Sequence, residues 1–333
     1  KTAVMIEVRI QKNDAGMRLD RFLLKAYTNL PPSLMYKGIR QKKIKRNRKR
    51  AEPNEMLEEG DVLQIFLPEE FFRKESAAQA FTHLKAKLSV VYEDDRILLL
   101  NKKAGMSVHA DEKQESGTLI DHVKAYLMEK GEYDPHKEQS FAPALCNRID
   151  RNTAGLVLAA KNAESLRLLN EQIRKGGLDK RYLCIAHGIF EKKEALLSGY
   201  LQKDSGKNLV KVFDQKPSFG EPKEILTEYR VLAETDRLSL LEVHLITGRT
   251  HQIRAHFSHI GHPLFGDGKY GSGREDRKEG AYFQALCAYR LTFCPKGDFG
   301  CLSYLAGKTF SLPPEEIPLL TRFPFFSPEN RNI

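Results

Sequence analysis

Asn147-Arg148-Ile149-Asp150-Arg151-Asn152-Thr153-Ala154-Gly155-Leu156-Val157-Leu158 sets one carboxylate, Asp150, between two arginines and just ahead of a Thr-x-Gly turn. An apolar run from Leu156 to Ala160 follows and reads as a strand. A carboxylate on such a turn is held rigidly beside cations and aimed. That suits a nucleophile or a general base. The same pattern also serves an Asp that only caps its turn and pairs with a surface Arg. This segment alone leaves both readings open.

A second segment reads Leu241-Glu-Val-His-Leu-Ile-Thr247-Gly248-Arg249-Thr250-His251-Gln252-Ile253-Arg254-Ala-His256. Its alternating Leu241, Val243 and Leu245 predict a strand that ends at Thr247-Gly248, with a helix opening on a polar turn that carries Arg249, His251 and Arg254. Cationic groups at a strand-to-helix corner are what an anionic ligand needs.

Together these segments resemble the active-site motifs of the RluA family of pseudouridine synthases. That family carries a His-Arg-Leu-Asp-x-x-Thr-Ser-Gly-like stretch and a Gly-Arg-Thr-His-Gln-Ile-Arg-like stretch. Asp95-Arg96-Ile-Leu-Leu-Leu-Asn101-Lys102-Lys103-Ala104-Gly105 is similar to its first motif, a strand running into a glycine-containing loop. Lys180-Arg181-Tyr182-Leu183-Cys184-Ile185-Ala186-His187-Gly188 is similar to the segment supplying its active-site tyrosine, and Ile260-Gly261-His262-Pro263-Leu264-Phe265-Gly266-Asp267 to the loop after the arginine motif. The similarity runs from about residue 89 to 295. Asn147 stands where the family usually has His, Lys103 where it has Pro and Cys287 where His is common.

The resemblance implies isomerisation of uridine to pseudouridine within RNA. A nitrogen–carbon glycosidic bond breaks and a carbon–carbon bond forms. No redox change or group transfer occurs, so no cofactor is expected. Asp150 would be the nucleophile or the base that starts glycal formation. Arg249 is its expected ion-pair partner, with Arg254 the competitor, and Tyr182 would stack on the flipped uracil. Arg148 would fill the space the base vacates or hold the backbone. Arg151, Lys180, His251 and Arg254 are expected to contact the RNA. The branch resembled acts on large-subunit ribosomal RNA; transfer RNA is the alternative substrate, and a non-catalytic ribosome-assembly factor the alternative function.

At 333 residues the chain can hold two domains. Residues 1–50 carry 15 Lys/Arg against 3 Asp/Glu, a net +12, while the rest carries 39 Lys/Arg and 41 Asp/Glu. Positive charge concentrated at one end points to a polyanion partner, bound with salt-sensitive affinity. No apolar run is long enough to span a membrane. The odd cysteine count, five, without a C-x-x-C pair, fits a reducing cytoplasm. A monomer is the default expectation.

Residues 17–27 and Ser33–Gln41 have helical spacing, Ser33 standing as a cap after Pro31-Pro32. The run Lys42 to Arg50 reads as a basic loop, and Val62–Leu67 as a strand after Gly60-Asp61. This arrangement resembles the alpha-L type RNA-binding module, which implies RNA contact by Arg18, Arg40, Lys42, Lys43, Lys45 and Arg46. The expected organisation is a small N-terminal α/β RNA-binding domain over 1–70, a partly helical linker over 71–87 and an α+β catalytic domain over 88–333. The catalytic domain should contain a mostly antiparallel mixed sheet. Strands are expected near 88–92, 97–100, 180–187, 224–234 and 238–246, the last two as a hairpin. Helices are expected after Thr118 and from Ala163 to Lys175, the latter stopped by Gly176-Gly177.

Two motifs argue for less than they suggest. Gly266-Asp267-Gly268-Lys269-Tyr270-Gly271 fits G-x-G-x-x-G, but the charged continuation lacks the apolar helix a dinucleotide site requires. This also weighs against a methyltransferase. His251, His256, His259 and His262 cluster without a zinc spacing, and no metal is expected.

Overall fold

The computed structural model describes residues 3–72, 81–111, 115–204, 206, 209–271, 273–324 and 326. It divides into two compact units. The first is Lys1–Ala86, Asp121–Ala144 and Lys161–Glu164; the second is Lys87–Ile120, Leu145–Ala160 and Ser165–Ile333.

The first unit opens with β1 (Ala3–Arg9), α1 (Leu19–Ala26) and α2 (Pro32–Arg40), then β2 (Ile44–Arg46), β3 (Lys49–Arg50) and β4 (Val62–Pro68). These strands form an antiparallel sheet in the order β1-β4-β2-β3. Alternate residues of β4, Leu63, Ile65 and Leu67, meet Leu19, Phe22, Leu23, Met35 and Ile39 in a buried core. A fully buried side chain of this size contributes about 1.5–3 kcal/mol.

Two expectations change here. Ser33 does not cap α2: the helix starts at Pro32 behind Pro31, because a proline at the first helical position loses no bond there. The basic run is not a loop but the hairpin β2–β3. Asn47 and Arg48 both take positive φ (50° and 64°), the conformation of a two-residue hairpin turn. Asp61 fastens it, accepting bonds from Arg46 Nε (2.7 Å), Asn47 Nδ2 (2.7 Å) and Glu58 N (2.8 Å). A 3₁₀ turn, Glu69–Phe71, spans the expected start of the linker, whose residues 73–80 lie outside the described residues.

The remaining elements are β5 (Val90–Glu93), β6 (Ile97–Lys102), α3 (Leu119–Glu129), β7 (Ala144–Leu145), β8 (Ala154–Ala160), α4 (Ala163–Lys175), β9 (Leu178–His187), β10 (Glu194–Asp204), β11 (Leu209–Phe213), β12 (Lys223–Glu234), β13 (Leu238–Leu245), α5 (Gln252–His259), α6 (Gly273–Asp276), β14 (Leu286–Phe293) and β15 (Thr309–Ser311). Among the described residues, eleven strands form one sheet. Its main path is β11-β10-β12-β13-β9-β14-β8-β6-β5, with β15 beside β14 and β7 beside β8. The pairing of β14 with β8 is parallel, while its pairing with β9 is antiparallel, so the sheet is mixed and mostly antiparallel as expected.

The apolar run after Asp150 becomes β8, buried from Gly155 to Ala160 between β14 and β6. Gly155 has φ +114°, and a Cβ there would lie 2.2 Å from the Ala288 carbonyl oxygen, so only glycine lets β14 approach. The hairpin β12–β13 forms as expected. Strands β10, β11 and β14 complete the sheet without having been anticipated. β10 alternates between exposed and half-buried residues along much of its length, and its apolar signal is correspondingly thin.

Candidate active site

Asp150 sits in the turn between β7 and β8, where Thr153 N donates to its carbonyl (3.0 Å). Its carboxylate is 23% exposed. Arg254 Nη1, from α5, donates to Asp150 Oδ2 at 2.7 Å, and His251 Nε2 stands 3.9 Å from the same oxygen. The ion-pair partner of Asp150 is thus Arg254. Arg249, the expected partner, is exposed, and its backbone N–H donates to Gln252 Oε1 (3.0 Å). The geometry explains the exchange: α5 begins at Gln252, so Arg254 lies on its first turn while Arg249 precedes it.

Arg254 is itself held. Asp267, fully buried, takes its Nε (2.7 Å) and Nη2 (2.9 Å) on separate oxygens, and also accepts the backbone N–H groups of Lys269 and Tyr270. Burial alone would lower Arg254, but bonds and charge from Asp267 and then Asp150 raise it above its ordinary value. Burial alone would raise Asp267, and Arg254 reverses that. The Tyr270 ring lies under the guanidinium at 5.2 Å, and its hydroxyl pairs with His251 Nδ1 at 2.8 Å. His251 has φ +56°, uncommon for a residue with a side chain; burial lowers its pKa, partly opposed by the charge of Asp150. Asp267, Tyr270 and Gln252 were not expected as site residues. Gln252 pins the corner by accepting from Thr247 Oγ1 and donating to Leu226 O and Thr227 Oγ1.

From β9, Tyr182 is buried, and burial followed by the charge of Asp150 raises its pKa, so the phenol stays neutral. Lys180, on the same face of β9, reaches the Thr247-Gly248 corner: its Nζ is 3.5 Å from where a Cβ on Gly248 would stand. Burial lowers its pKa. A further residue escaped the sequence reading. Lys102, 1% exposed at the end of β6, gives its ammonium protons to the carbonyls of Lys103 (3.0 Å), Met106 (2.9 Å) and Arg151 (2.8 Å). Only the ammonium form can supply three donors. Burial works against that charge, drawing the group down to about 7, and Asp150 opposes it.

The sequence matches the family described as RNA pseudouridylate synthase over residues 96–259, a span that includes Asp150, Tyr182 and Arg254. It is 34% identical over 276 residues to the ribosomal large subunit pseudouridine synthase C of Haemophilus ducreyi, covering 81% of this chain and 80% of that one. It is also 34% identical over 278 residues to the Escherichia coli K12 protein of the same name, covering 81% of each. The chain belongs to the RNA pseudouridylate synthase family. The RluA-type resemblance drawn from its motifs holds, and with it the class of enzyme, an isomerase. The fold agrees with that of human RNA pseudouridylate synthase domain containing 1, at a TM-score of 0.51 and 21% identity, covering 73% of this chain and 96% of that structure.

The departures of this synthase from its family pattern have local accounts. Asn147 bridges to β8, accepting from Leu158 N (2.7 Å) and donating to Leu156 O (3.3 Å). Cys287 is buried beside Ala154 in the β14–β8 bridge, and burial pushes its thiol up to about 12. Lys103 is exposed. Arg148 is exposed, and Arg151 pairs with Asp111 at 2.5 Å. The four clustered histidines separate to different partners: His251 to Tyr270, His256 to Thr227, His259 to Asp214 and His262 to the His187 carbonyl.

In the first unit Arg40, Lys42 and Lys43 are exposed, and Lys45 lies over the Phe66 ring at 5.7 Å. Arg18 pairs with Asp20 (2.7 Å). Arg46 is bound by Asp61 (2.7 Å), with Glu55 (3.6 Å) and Glu58 (3.8 Å) nearby. Its charge is answered within the unit. Among the described residues, no helix is long and apolar enough to cross a membrane.

Proposed function

We propose that this synthase isomerises uridines in large-subunit ribosomal RNA, with Asp150 as the catalytic carboxylate. The observation that carries the reading is the Arg254–Asp150 ion pair, 2.7 Å long and buried on the arginine side, beside the buried ring of Tyr182. Arg254 and His251 both address Oδ2 of Asp150. Oδ1 has no hydrogen-bond partner among the described residues, which suits an oxygen that must meet the ribose. It would add to the sugar or take the proton that starts glycal formation. A fixed guanidinium steadies the carboxylate charge without needing to reorganise during reaction. Tyr182, a neutral phenol, stacks on the uracil once the base leaves its helix. Lys180, His251 and Arg249 line the phosphate path, and Arg148 takes the vacated space.

Residues 1–70 act as an RNA-binding module joined through residues 71–87, supplying affinity through Arg40, Lys42, Lys43 and Lys45 with little sequence preference. The relatives named for large-subunit ribosomal RNA support that choice of substrate. The enzyme would work in the cytoplasm as a monomer, without a nucleotide cofactor.

The test is pseudouridine mapping, by carbodiimide adduct and primer extension, on RNA from cells lacking this gene and from cells restored with wild type or Asp150→Asn. Loss at large-subunit positions, restored only by wild type, is the expected result. Loss confined to transfer RNA would overturn the substrate. Restoration by Asp150→Asn would remove Asp150 from the chemistry. If no position changes in any RNA, and the purified protein converts no transcribed RNA, a binding factor replaces the enzyme.

A further inference from the structure

Two aromatic side chains lie open on the segment that is bonded to the Asp150 turn, and the chemistry above uses neither. Tyr282 is 68% exposed and Phe283 43%. Single exposed apolar residues are ordinary on protein surfaces. These two are adjacent, and their segment is fastened to the site at several points. Gln284 Nε2 donates to Thr153 Oγ1 (3.1 Å), and Thr153 N donates to the Asp150 carbonyl (3.0 Å). Ala285 N donates to Phe265 O (2.8 Å). A Cβ on Gly266, which has φ +77°, would lie 2.2 Å from the Phe283 carbonyl oxygen, so the segment packs tightly against the residue preceding Asp267. On its other side the Phe283 ring lies 3.5 Å from where a Cβ on Gly105 would stand, and Gly105 N donates to Arg151 O (2.9 Å). Phe283 therefore lies between Gly266, which adjoins Asp267, and Gly105, which is bonded to Arg151 next to Asp150.

An exposed ring on a fastened segment, as Phe283 is, is pre-organised for a flat ligand, and Tyr282 precedes it on the same segment. Unpaired bases stack on such rings, and the interaction accepts any base. A uridine drawn out of its stack leaves the neighbouring base uncovered. Exposed Lys103 and Arg148, in the segments that adjoin Gly105 and Asp150, supply cations for the adjoining phosphates, while Arg151 is paired with Asp111.

We infer that Tyr282 and Phe283 form a stacking platform for an RNA base next to the target uridine. The platform rests on the reading of this site as one that takes a uridine out of RNA, and it adds a contact that governs which flanking bases are held.

The chain contains no tryptophan. Phe283→Trp therefore carries a single indole whose emission reports stacking. The probe is a short single-stranded RNA with one uridine between adenines, compared with the same RNA bearing abasic residues in place of those adenines. The adenine RNA should quench the indole, and the abasic RNA should quench it several-fold less. Phe283→Ala and Tyr282→Ala should each weaken binding by about tenfold, the scale of one base–aromatic stack, with the loss of kcat/KM carried by KM. Phe283→Leu, which keeps apolar bulk without a ring, should lose as much as Phe283→Ala. Equal quenching by both RNAs overturns the platform, as does wild-type RNA affinity in the alanine and leucine variants. Base-dependent quenching by a protein that converts no uridine would instead overturn the enzymatic reading and leave the platform standing. Turnover with base-independent quenching would do the reverse.

Discussion

Arg254 and Asp267 face each other through two parallel bonds, Nε to Oδ2 at 2.7 Å and Nη2 to Oδ1 at 2.9 Å, which leave Nη1 to reach Asp150. A two-point grip fixes the plane of the guanidinium as well as its position. Asp267→Asn keeps the shape but removes the charge and one acceptor. Arg254 then loses its alignment toward Asp150, and kcat should fall on the order of a hundredfold, the scale of losing one preorganised charge contact. Stability should drop by about 3 kcal/mol, because a buried cation loses its partner. Single-turnover rates and urea unfolding measure the two effects separately. A wild-type rate in a destabilised variant would make Asp267 a purely structural residue.

Lys102 gives a second test of the same turn. Its three carbonyl partners come from both loops beside Asp150, and Lys102→Met would leave all three without that donor. Water can reach some of them, so the expected loss of stability is about 3 kcal/mol rather than the full sum of three unsatisfied groups. Turnover should fall with it, because residues 103–106 and 151 lose a common anchor. Thermal unfolding and turnover well below the melting temperature decide the case. Unchanged stability would show that other contacts hold the two loops.

Arg249 and Arg254 should separate cleanly in kinetics. Arg249→Gln removes an exposed cation, so KM should rise and the salt dependence of binding should weaken by about one phosphate contact. Arg254→Gln removes the partner of Asp150, and the loss should appear in kcat. Pseudouridine formation measured over a range of RNA and salt concentrations gives both parameters. A kcat collapse in Arg249→Gln with a mild effect in Arg254→Gln would reverse the assignment.

The arginine exchange shows where sequence reading stopped. Both residues belong to one recognisable segment, and their chemistry is the same. Which one meets Asp150 depends on where α5 begins, and helix boundaries are the part of a pattern least fixed by local composition. The Asp150 turn, the Tyr182 strand and the β12–β13 hairpin were legible because motif and periodicity coincided there. Lys102 and Asp267 were not singled out, although both lie inside quoted motifs. Their importance comes from burial and from partners far away in the chain, as in the contact of Lys102 with Arg151. The hairpin in the basic run was hidden for a different reason: Asn47 and Arg48 are a turn pair without glycine, and the charges around them suggested a solvated loop.

His256 supplies a pH test that does not depend on catalysis. It is buried against Thr227 Oγ1 at 3.0 Å, and burial, with a smaller contribution from His259, lowers it to about 4. The unfolded chain, with an ordinary histidine near 6.5, binds the proton first. The contribution is therefore fully present above about pH 6.5 and is lost as pH falls toward 4, with a ceiling of about 3 kcal/mol. Unfolding of wild type and His256→Gln at intervals across that range should show the wild type losing more. Parallel curves would mean that His256 takes up its proton without disturbing the fold.

The first unit separates two kinds of basic residue that look alike in sequence. Arg40, Lys42 and Lys43 are exposed, whereas Arg46 is bound to Asp61 at 2.7 Å with two further carboxylates close by. Replacing Arg40, Lys42 and Lys43 together by Gln should leave folding unchanged and make the logarithmic dependence of RNA affinity on salt shallower by roughly two units, at about 0.7–0.9 per phosphate contact. Arg46→Gln should instead leave that slope almost unaltered and cost about 1–3 kcal/mol of stability, because Asp61 keeps its burial and loses its charged donor. Binding titrations at several salt concentrations, paired with thermal unfolding, distinguish the two. An unchanged slope in the triple variant would move the RNA contact away from this hairpin, and the basic run would then serve solubility alone.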